Sequence, residues 1–95
     1  MVERNVDSLV PSPYTRTAYS DDGQAVVLQV WANTWTHLEP TAAKLWRLLN
    51  DGKTVSEALA ELAARFGLSA GQLEADFATP IQELVKEKLL VKERS

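Results

Sequence analysis

Few side chains in this sequence are of the types that catalyse reactions or bind metals. The chain has no cysteine and a single histidine, His37. Disulfides, thiolate metal sites, a cysteine nucleophile and multi-histidine metal sites are therefore excluded. No paired carboxylates, glycine-rich phosphate loop or nucleophile–base pair stands out along the sequence. We expect no catalytic residue, no metal and no cofactor, and we interpret His37 as a polar strand residue.

The composition is that of one ordinary globular domain. The chain has 95 residues, of which 45% are hydrophobic and 24% charged, a typical balance for a globular protein. Its net charge of −3 opposes general attraction to nucleic acid or anionic membrane. No apolar run approaches the roughly 20 residues that span a bilayer. The first residues, MVERNVDSLVPSP, lack the apolar core of a signal peptide, so we expect a cytoplasmic location.

Three strands are predicted in the first half of the chain. Residues 14–19 (YTRTAY) and 24–31 (QAVVLQVW) are rich in aromatic, aliphatic and β-branched residues, with the turn sequence SDDG between them. Residues 32–34 form a short loop in which Asn33 best tolerates a left-handed conformation. Residues 35–38 (WTHL) return as a third strand, and the short loop predicts an antiparallel hairpin.

Three helices are predicted in the second half. The first begins near Pro40 and ends before Gly52. Capping-box sequences, TVSE at residues 54–57 and SAGQ at residues 69–72, begin the other two. Pro80 falls near the middle of the third helix, where it costs about 3 kcal/mol and predicts a kink or a break. A kink there would shape a groove beside the helix.

The element order defines one folded unit. We predict an α+β domain over residues 14–91, with a three-stranded antiparallel sheet followed by three helices. Residues 1–13 are expected to be a flexible segment, because Pro11 and Pro13 cannot lie in a central strand. Residues 92–95 are expected to be a polar tail.

Several segments resemble the PqqD-like family. They are residues 28–46 (LQVWANTWTHLEPTAAKLW), 48–55 (LLNDGKTV) and 62–67 (LAARFG), followed by Asp76 and residues 84–90. The resemblance covers residues 14–91. Glu39 stands where the family usually has Asn, which weakens the cap of the first helix, and Asn33 stands where Gly is usual.

This resemblance implies a winged-helix-like fold and the role of a recognition element for ribosomally synthesised and modified peptides (RiPPs). Such elements are non-catalytic and bind the leader of a precursor peptide. The chain is most similar to the standalone leader-binding proteins of lasso-peptide biosynthesis, which hand the precursor to a separate leader peptidase. The alternatives are a PqqD-type chaperone in pyrroloquinoline quinone biosynthesis and a recognition element for another peptide class.

Peptide capture by strand addition requires an open strand edge and pockets for side chains. The third strand pairs on one side only, so its other side is the expected edge, and the third helix is the expected opposite wall. We expect Gln72, Asp76 and Glu83 to line the rim and to select basic or hydrogen-bonding leader residues. The predicted peptide-binding residues are Thr34, Trp35, Thr36, His37, Leu38, Gln72, Leu73, Asp76, Phe77, Pro80, Ile81, Glu83 and Leu84.

Strand alternation divides the hairpin into two faces. The face expected toward the helices holds Leu28, Val30, Thr36 and Leu38. The face expected toward solvent holds Val27, Gln29, Trp31, Trp35 and His37. Of these, Val27, Trp31 and Trp35 form a predicted docking surface for a partner enzyme. The alternative is a Trp31–Trp35 cross-strand pair that only stabilises the hairpin.

The order of the predicted elements resembles that of a winged helix, so DNA binding is an alternative function. The charged residues of the predicted third helix and its end are Glu74, Asp76, Glu83, Glu87, Lys86 and Lys88. This excess of acids is wrong for contacts to phosphates. We expect no nucleic-acid or membrane partner. An open edge beside exposed tryptophans predicts either a monomer or a weak edge-mediated dimer.

Overall fold

The structure is a computed structural model that describes residues 8–92. The strands are β1 (Leu9–Pro11), β2 (Thr15–Tyr19), β3 (Ala25–Gln29), β4 (Thr34–Leu38) and β5 (Leu90–Lys92). The helices are α1 (Pro40–Asn50), α2 (Val55–Phe66) and α3 (Ala70–Lys86). The predicted fold class is confirmed, because an antiparallel sheet in the order β2-β3-β4 precedes the three helices.

Two turns with left-handed residues join the strands of this sheet. Gly23 has φ 90° between β2 and β3, and Asn33, the residue expected to tolerate a left-handed conformation, has φ 54° between β3 and β4. In the first turn the Asp22 carboxylate accepts hydrogen bonds from the Ser20 hydroxyl and from the backbone N–H of Gln24. These bonds hold the pKa of the Asp22 carboxyl below its usual value.

The turn after β3 has four residues, whereas the sequence predicted three. The difference exchanges the buried and exposed faces of β3. Because β3 ends at Gln29 and four turn residues follow, Val27 pairs with Thr36 and Leu28 pairs with Trp35. A shift of one residue moves every side chain of a strand to the opposite face. The expectation that Val27 is exposed was therefore wrong, since its side chain is 0% exposed.

The remaining face assignments follow from the same register. Gln29, expected toward solvent, is buried, and Leu28, expected toward the helices, lies on the outer face beside Trp35. Val30 lies exposed in the turn. Leu38 points into the core, as predicted.

The N-terminal ends of α2 and α3 are capped as their sequences predicted. Thr54 and Glu57 form a reciprocal capping box at the start of α2, and Ser69 and Gln72 form another at the start of α3. Each box satisfies two backbone N–H groups that a helix end leaves unpaired.

The other helix features bear on the shape of the site. Glu39 occupies the N-cap position of α1 but makes no side-chain cap hydrogen bond. Pro80 lies inside α3, which is one helix of 17 residues, so the alternative of two separate pieces was wrong. No helix within residues 8–92 is long and apolar enough to cross a membrane.

The core lies between the three-stranded sheet and the helices. Trp46 of α1 is fully buried, and its Nε1 donates to Thr17 Oγ1 of β2 over 2.8 Å. This bond satisfies the only donor of the indole and fixes α1 against the sheet. Leu73 and Phe77 of α3 are buried in the same cluster. Burial of such side chains stabilises the fold by about 1.5–3 kcal/mol each.

A second, two-stranded sheet was not predicted. β1 pairs antiparallel with β5, and the backbone N–H of Ser12 donates to the Leu89 carbonyl over 2.8 Å. The expectation of a flexible segment was therefore wrong for Leu9–Pro11. Residues 1–7 lie outside the part of the chain that the structure describes. Lys92, expected to begin the polar tail, ends β5, and residues 93–95 also lie outside. This sheet joins the two ends of the described chain beside the helices.

Candidate peptide-binding site

The β4 strand has one open edge. Within residues 8–92 it pairs only with β3, so backbone groups on its other side have no strand partner. Trp35 is 64% exposed, and His37 is exposed with its Nε2 hydrogen-bonded to Gln24 Oε1. An unpaired edge of this kind is a template on which an extended chain can add as a further strand.

A cleft opens close to the end of this strand. It has a volume of about 420 Å³ and lies among the start of α1, the end of α2 and α3. β4 ends at Leu38, and the next residue, Glu39, already lines the cleft. The lining residues are Glu39, Thr41, Ala42, Phe66, Leu68, Leu73, Asp76, Phe77 and Pro80.

Four residues of the predicted peptide-binding set line this cleft, and all four come from α3. Leu73 and Phe77 are 2% exposed, so they belong to the core and to the cleft floor together. Pro80 is half-buried and lines the cleft one turn further along the helix. Asp76 is exposed at the rim. The first half of α3 is therefore one wall of the cleft, while none of the predicted peptide-binding residues of β4 lines it.

Four other predicted residues of α3 lie away from the cleft lining. Leu84 is buried in the core, and Ile81 packs against the core while half-buried. Gln72 uses its side chain in the capping box, where Oε1 accepts from the backbone N–H of Ser69 over 3.2 Å. Glu83 is exposed on the helix surface. Of the three expected rim residues, the structure places only Asp76 at the cleft.

The sequence interpretation missed the contributions of α1 and α2. Thr41 and Ala42 lie in the first turn of α1, and Phe66 and Leu68 flank Gly67 at the end of α2. Phe66 and Leu68 are 42% and 39% exposed. Phe66 follows Leu59 and Leu62 at helical spacing, which is the pattern of a core residue, so no local signal identified this wall.

The charges around the cleft are unbalanced. Within residues 8–92, neither Glu39 nor Asp76 takes part in an ion pair, whereas Glu61 forms ion pairs with both Lys53 and Arg65. The Lys44 ammonium lies 5.4 Å from the ring centroid of Phe66, which is a cleft residue. The residues that line the cleft thus include two carboxylates and no basic side chain.

An exposed aromatic pair lies at the tip of the hairpin. The ring centroids of Tyr14 and Trp31 are 5.0 Å apart, with the rings tilted by 56°, and Trp31 is 77% exposed. The register pairs Trp35 with Leu28, and Trp31 packs against Tyr14, so the alternative of a Trp31–Trp35 cross-strand pair was wrong. With Val27 buried, the predicted docking surface is reduced to Trp31 and Trp35.

The fold and the cleft define a small α+β protein of winged-helix-like topology with an open strand edge. A family model, coenzyme PQQ synthesis protein D (PqqD), matches residues 24–90, well over half of the chain. The chain belongs to the PqqD family, which confirms the resemblance found in the sequence. No curated protein matches the chain.

Two solved structures share this fold. One is TbiB1 in complex with the TbiA(beta) leader peptide, with a TM-score of 0.80 and 23% identity, covering 90% of this chain and 99% of that chain. Another is lasso peptide synthetase B1 complexed with the leader peptide, with a TM-score of 0.72 and 21% identity, covering 88% of this chain and 98% of that chain. In both comparisons the aligned residues make up most of this chain and almost all of the other chain.

Proposed function

We propose that this protein is a non-catalytic leader-binding protein of lasso-peptide biosynthesis that works in the cytoplasm. Membership of the PqqD family supports this proposal. The two structural neighbours support it further, because each is a protein of this fold with a leader peptide bound. The protein captures the leader of a ribosomal precursor peptide and delivers the precursor to a separate leader peptidase or modifying enzyme.

One observation carries the proposal: β4 has an open edge, and Glu39, the residue that follows this strand, lines an apolar cleft. An extended leader pairs with the backbone of Thr34–Leu38 and gains main-chain hydrogen bonds there. Beyond Leu38, where Glu39 enters the cleft, a leader side chain reaches the floor formed by Leu73 and Phe77. Main-chain bonds supply affinity and the cleft supplies side-chain selection.

Delivery to an enzyme requires a surface that the leader leaves free. Trp31 is at the hairpin tip, in the turn before β4, and is 77% exposed. Large exposed aromatic side chains are typical anchors of protein interfaces. We assign Trp31 to contact with the partner enzyme, while Trp35 lies on β4 itself and is shared with the leader site.

A second candidate is a PqqD-type chaperone in pyrroloquinoline quinone biosynthesis. The observation that favours it is the description of the matching family model, coenzyme PQQ synthesis protein D. The same edge and cleft would then hold the precursor peptide of that cofactor. The two candidates differ in the peptide that binds and share the binding mode.

The test is a fluorescence-anisotropy titration with labelled synthetic leaders. The peptides are the leader of a lasso-peptide precursor, sought among the genes beside this one, the precursor peptide of pyrroloquinoline quinone, and a scrambled version of each. We expect saturable binding of the lasso-type leader and none of its scrambled control. Binding of the quinone precursor alone would favour the second candidate, and no binding of either peptide would refute both.

A further inference from the structure

We propose that the cleft selects a leader segment in which a basic side chain stands next to an apolar one, an inference that rests on the proposed function. Apolar side chains form the walls and floor of the cleft, and carboxylates stand at its rim. The occupant that complements both features is a peptide with an apolar anchor flanked by Arg or Lys.

The apolar half of this recognition comes from the cleft walls. Phe66 and Leu68 of the α2 end are partly exposed and face the same cavity as the buried Phe77. An apolar side chain that enters between them removes apolar surface of both partners from water, worth about 25 cal/mol per Å². A volume of about 420 Å³ has room for a large aliphatic or aromatic side chain.

The charged half comes from two carboxylates with no ion-pair partner in the described chain. Glu39 holds the N-cap position of α1, yet its side chain caps nothing, whereas Thr54 and Ser69 cap the next two helices with their side chains. The Glu39 carboxylate therefore remains available to a ligand. Asp76 lies on the opposite wall, in α3.

The neighbouring positive charges do not cancel this pair. The Lys44 ammonium over the Phe66 ring offsets at most one carboxylate. The N-terminus of α1 adds about half a positive charge, which still leaves the sum of these charges negative. The rim keeps a net negative charge, so it favours a basic residue and disfavours an acidic one at that point of the leader.

The experiment is a selection of random peptides displayed on phage against the full chain. It compares the wild type, the double variant Glu39→Gln/Asp76→Asn, and the control Glu74→Gln/Glu83→Gln. The control removes two exposed α3 carboxylates that do not line the cleft. We expect wild type and control to select an apolar residue next to Arg or Lys, and the rim variant to select the apolar residue without the basic one.

A titration then measures directly how much the charge of the basic residue contributes to peptide affinity. One selected peptide is synthesised with Arg and with its neutral isostere citrulline at the basic position. We expect wild type to bind the citrulline peptide about fivefold more weakly, the range for a pair of partly exposed ion pairs, and the rim variant to bind both equally. Equal binding of both peptides by wild type overturns the inference and leaves leader capture standing. Failure of the precursor's own leader to bind overturns the proposed function instead.

Discussion

The side chain of Gln29 donates from Nε2 to the carbonyl oxygen of Lys88 over 2.9 Å, a bond between residues 59 positions apart. Its Oε1 accepts from the backbone N–H of Trp31, also over 2.9 Å. One buried amide thus joins the end of β3, the hairpin turn and the left-handed residue that follows α3. The turn that carries Trp31 is fixed to the same helix that forms a wall of the cleft.

Replacement of Gln29 by Ala should destabilise the fold by about 1–3 kcal/mol, because it leaves the Lys88 carbonyl and the Trp31 N–H without their partner. For a chain of this size the loss lowers Tm by about 4–8 °C per kcal/mol. Differential scanning calorimetry measures the change. The control is Gln82→Ala, at an exposed position of α3, which should leave Tm almost unchanged. Equal Tm values for the two variants would show that the buried amide contributes nothing.

The role of Gln29 shows where prediction from the sequence stops. The strands, the helices and both capping boxes could be predicted, because local patterns determine them. The faces of β3 could not, because its apolar residues Val26, Val27 and Leu28 occur on both faces. The length of one turn decides which face is buried, and burial of Gln29 depends on a carbonyl from the far end of the chain.

The cleft should be blocked by a large side chain at its rim. Thr41 is exposed in the first turn of α1 and lines the cleft, so Thr41→Trp fills the cavity without disturbing the core. We expect leader affinity to fall at least about tenfold, a loss of about 1.4 kcal/mol. Isothermal titration calorimetry with the leader peptide measures it.

The matched control for this variant is Thr79→Trp, at an exposed position of α3 that does not line the cleft. Both variants should keep the wild-type circular dichroism spectrum. Wild-type leader affinity in Thr41→Trp would exclude the cleft from leader binding. Phe77→Ala is less suitable, because Phe77 is a core residue and its truncation costs about 3–5 kcal/mol of stability.

The sequence could predict only those residues of the candidate site that come from a single secondary-structure element. The α3 residues that line the cleft were predicted because helical spacing can be read locally, and the role of β4 stays a prediction. Glu39, Thr41 and Leu68 were missed, since they meet Phe77 only after three helices have packed. No local sequence pattern identifies all the residues of a cleft that three different helices form together.

Trp31 should matter for delivery and not for leader binding. Trp31→Ser removes an exposed indole that packs against Tyr14 and does not line the cleft. We expect unchanged leader affinity and a KM for leader removal by the separate peptidase raised about tenfold, in the range of an interface anchor. The measurement is mass-spectrometric kinetics of precursor cleavage in the presence of each variant.

The control for Trp31→Ser is Val85→Ser, which removes an exposed apolar side chain from α3. It should leave both leader affinity and cleavage kinetics at wild-type values. If the Trp31→Ser variant supports cleavage with wild-type kinetics, Trp31 is not part of the docking surface. Loss of leader affinity in the same variant would instead place Trp31 in the leader site.

Strand addition to β4 is tested most directly by amide hydrogen exchange, measured residue by residue by NMR with and without saturating leader. In an antiparallel strand, successive N–H groups point alternately toward the neighbour and away from it. Within Thr34–Leu38 one alternate set is already bonded to β3, and the other points to the open edge. The leader should slow exchange of that second set at least about tenfold. Saturated leader binding with unchanged exchange at every amide of β4 would contradict capture on this edge.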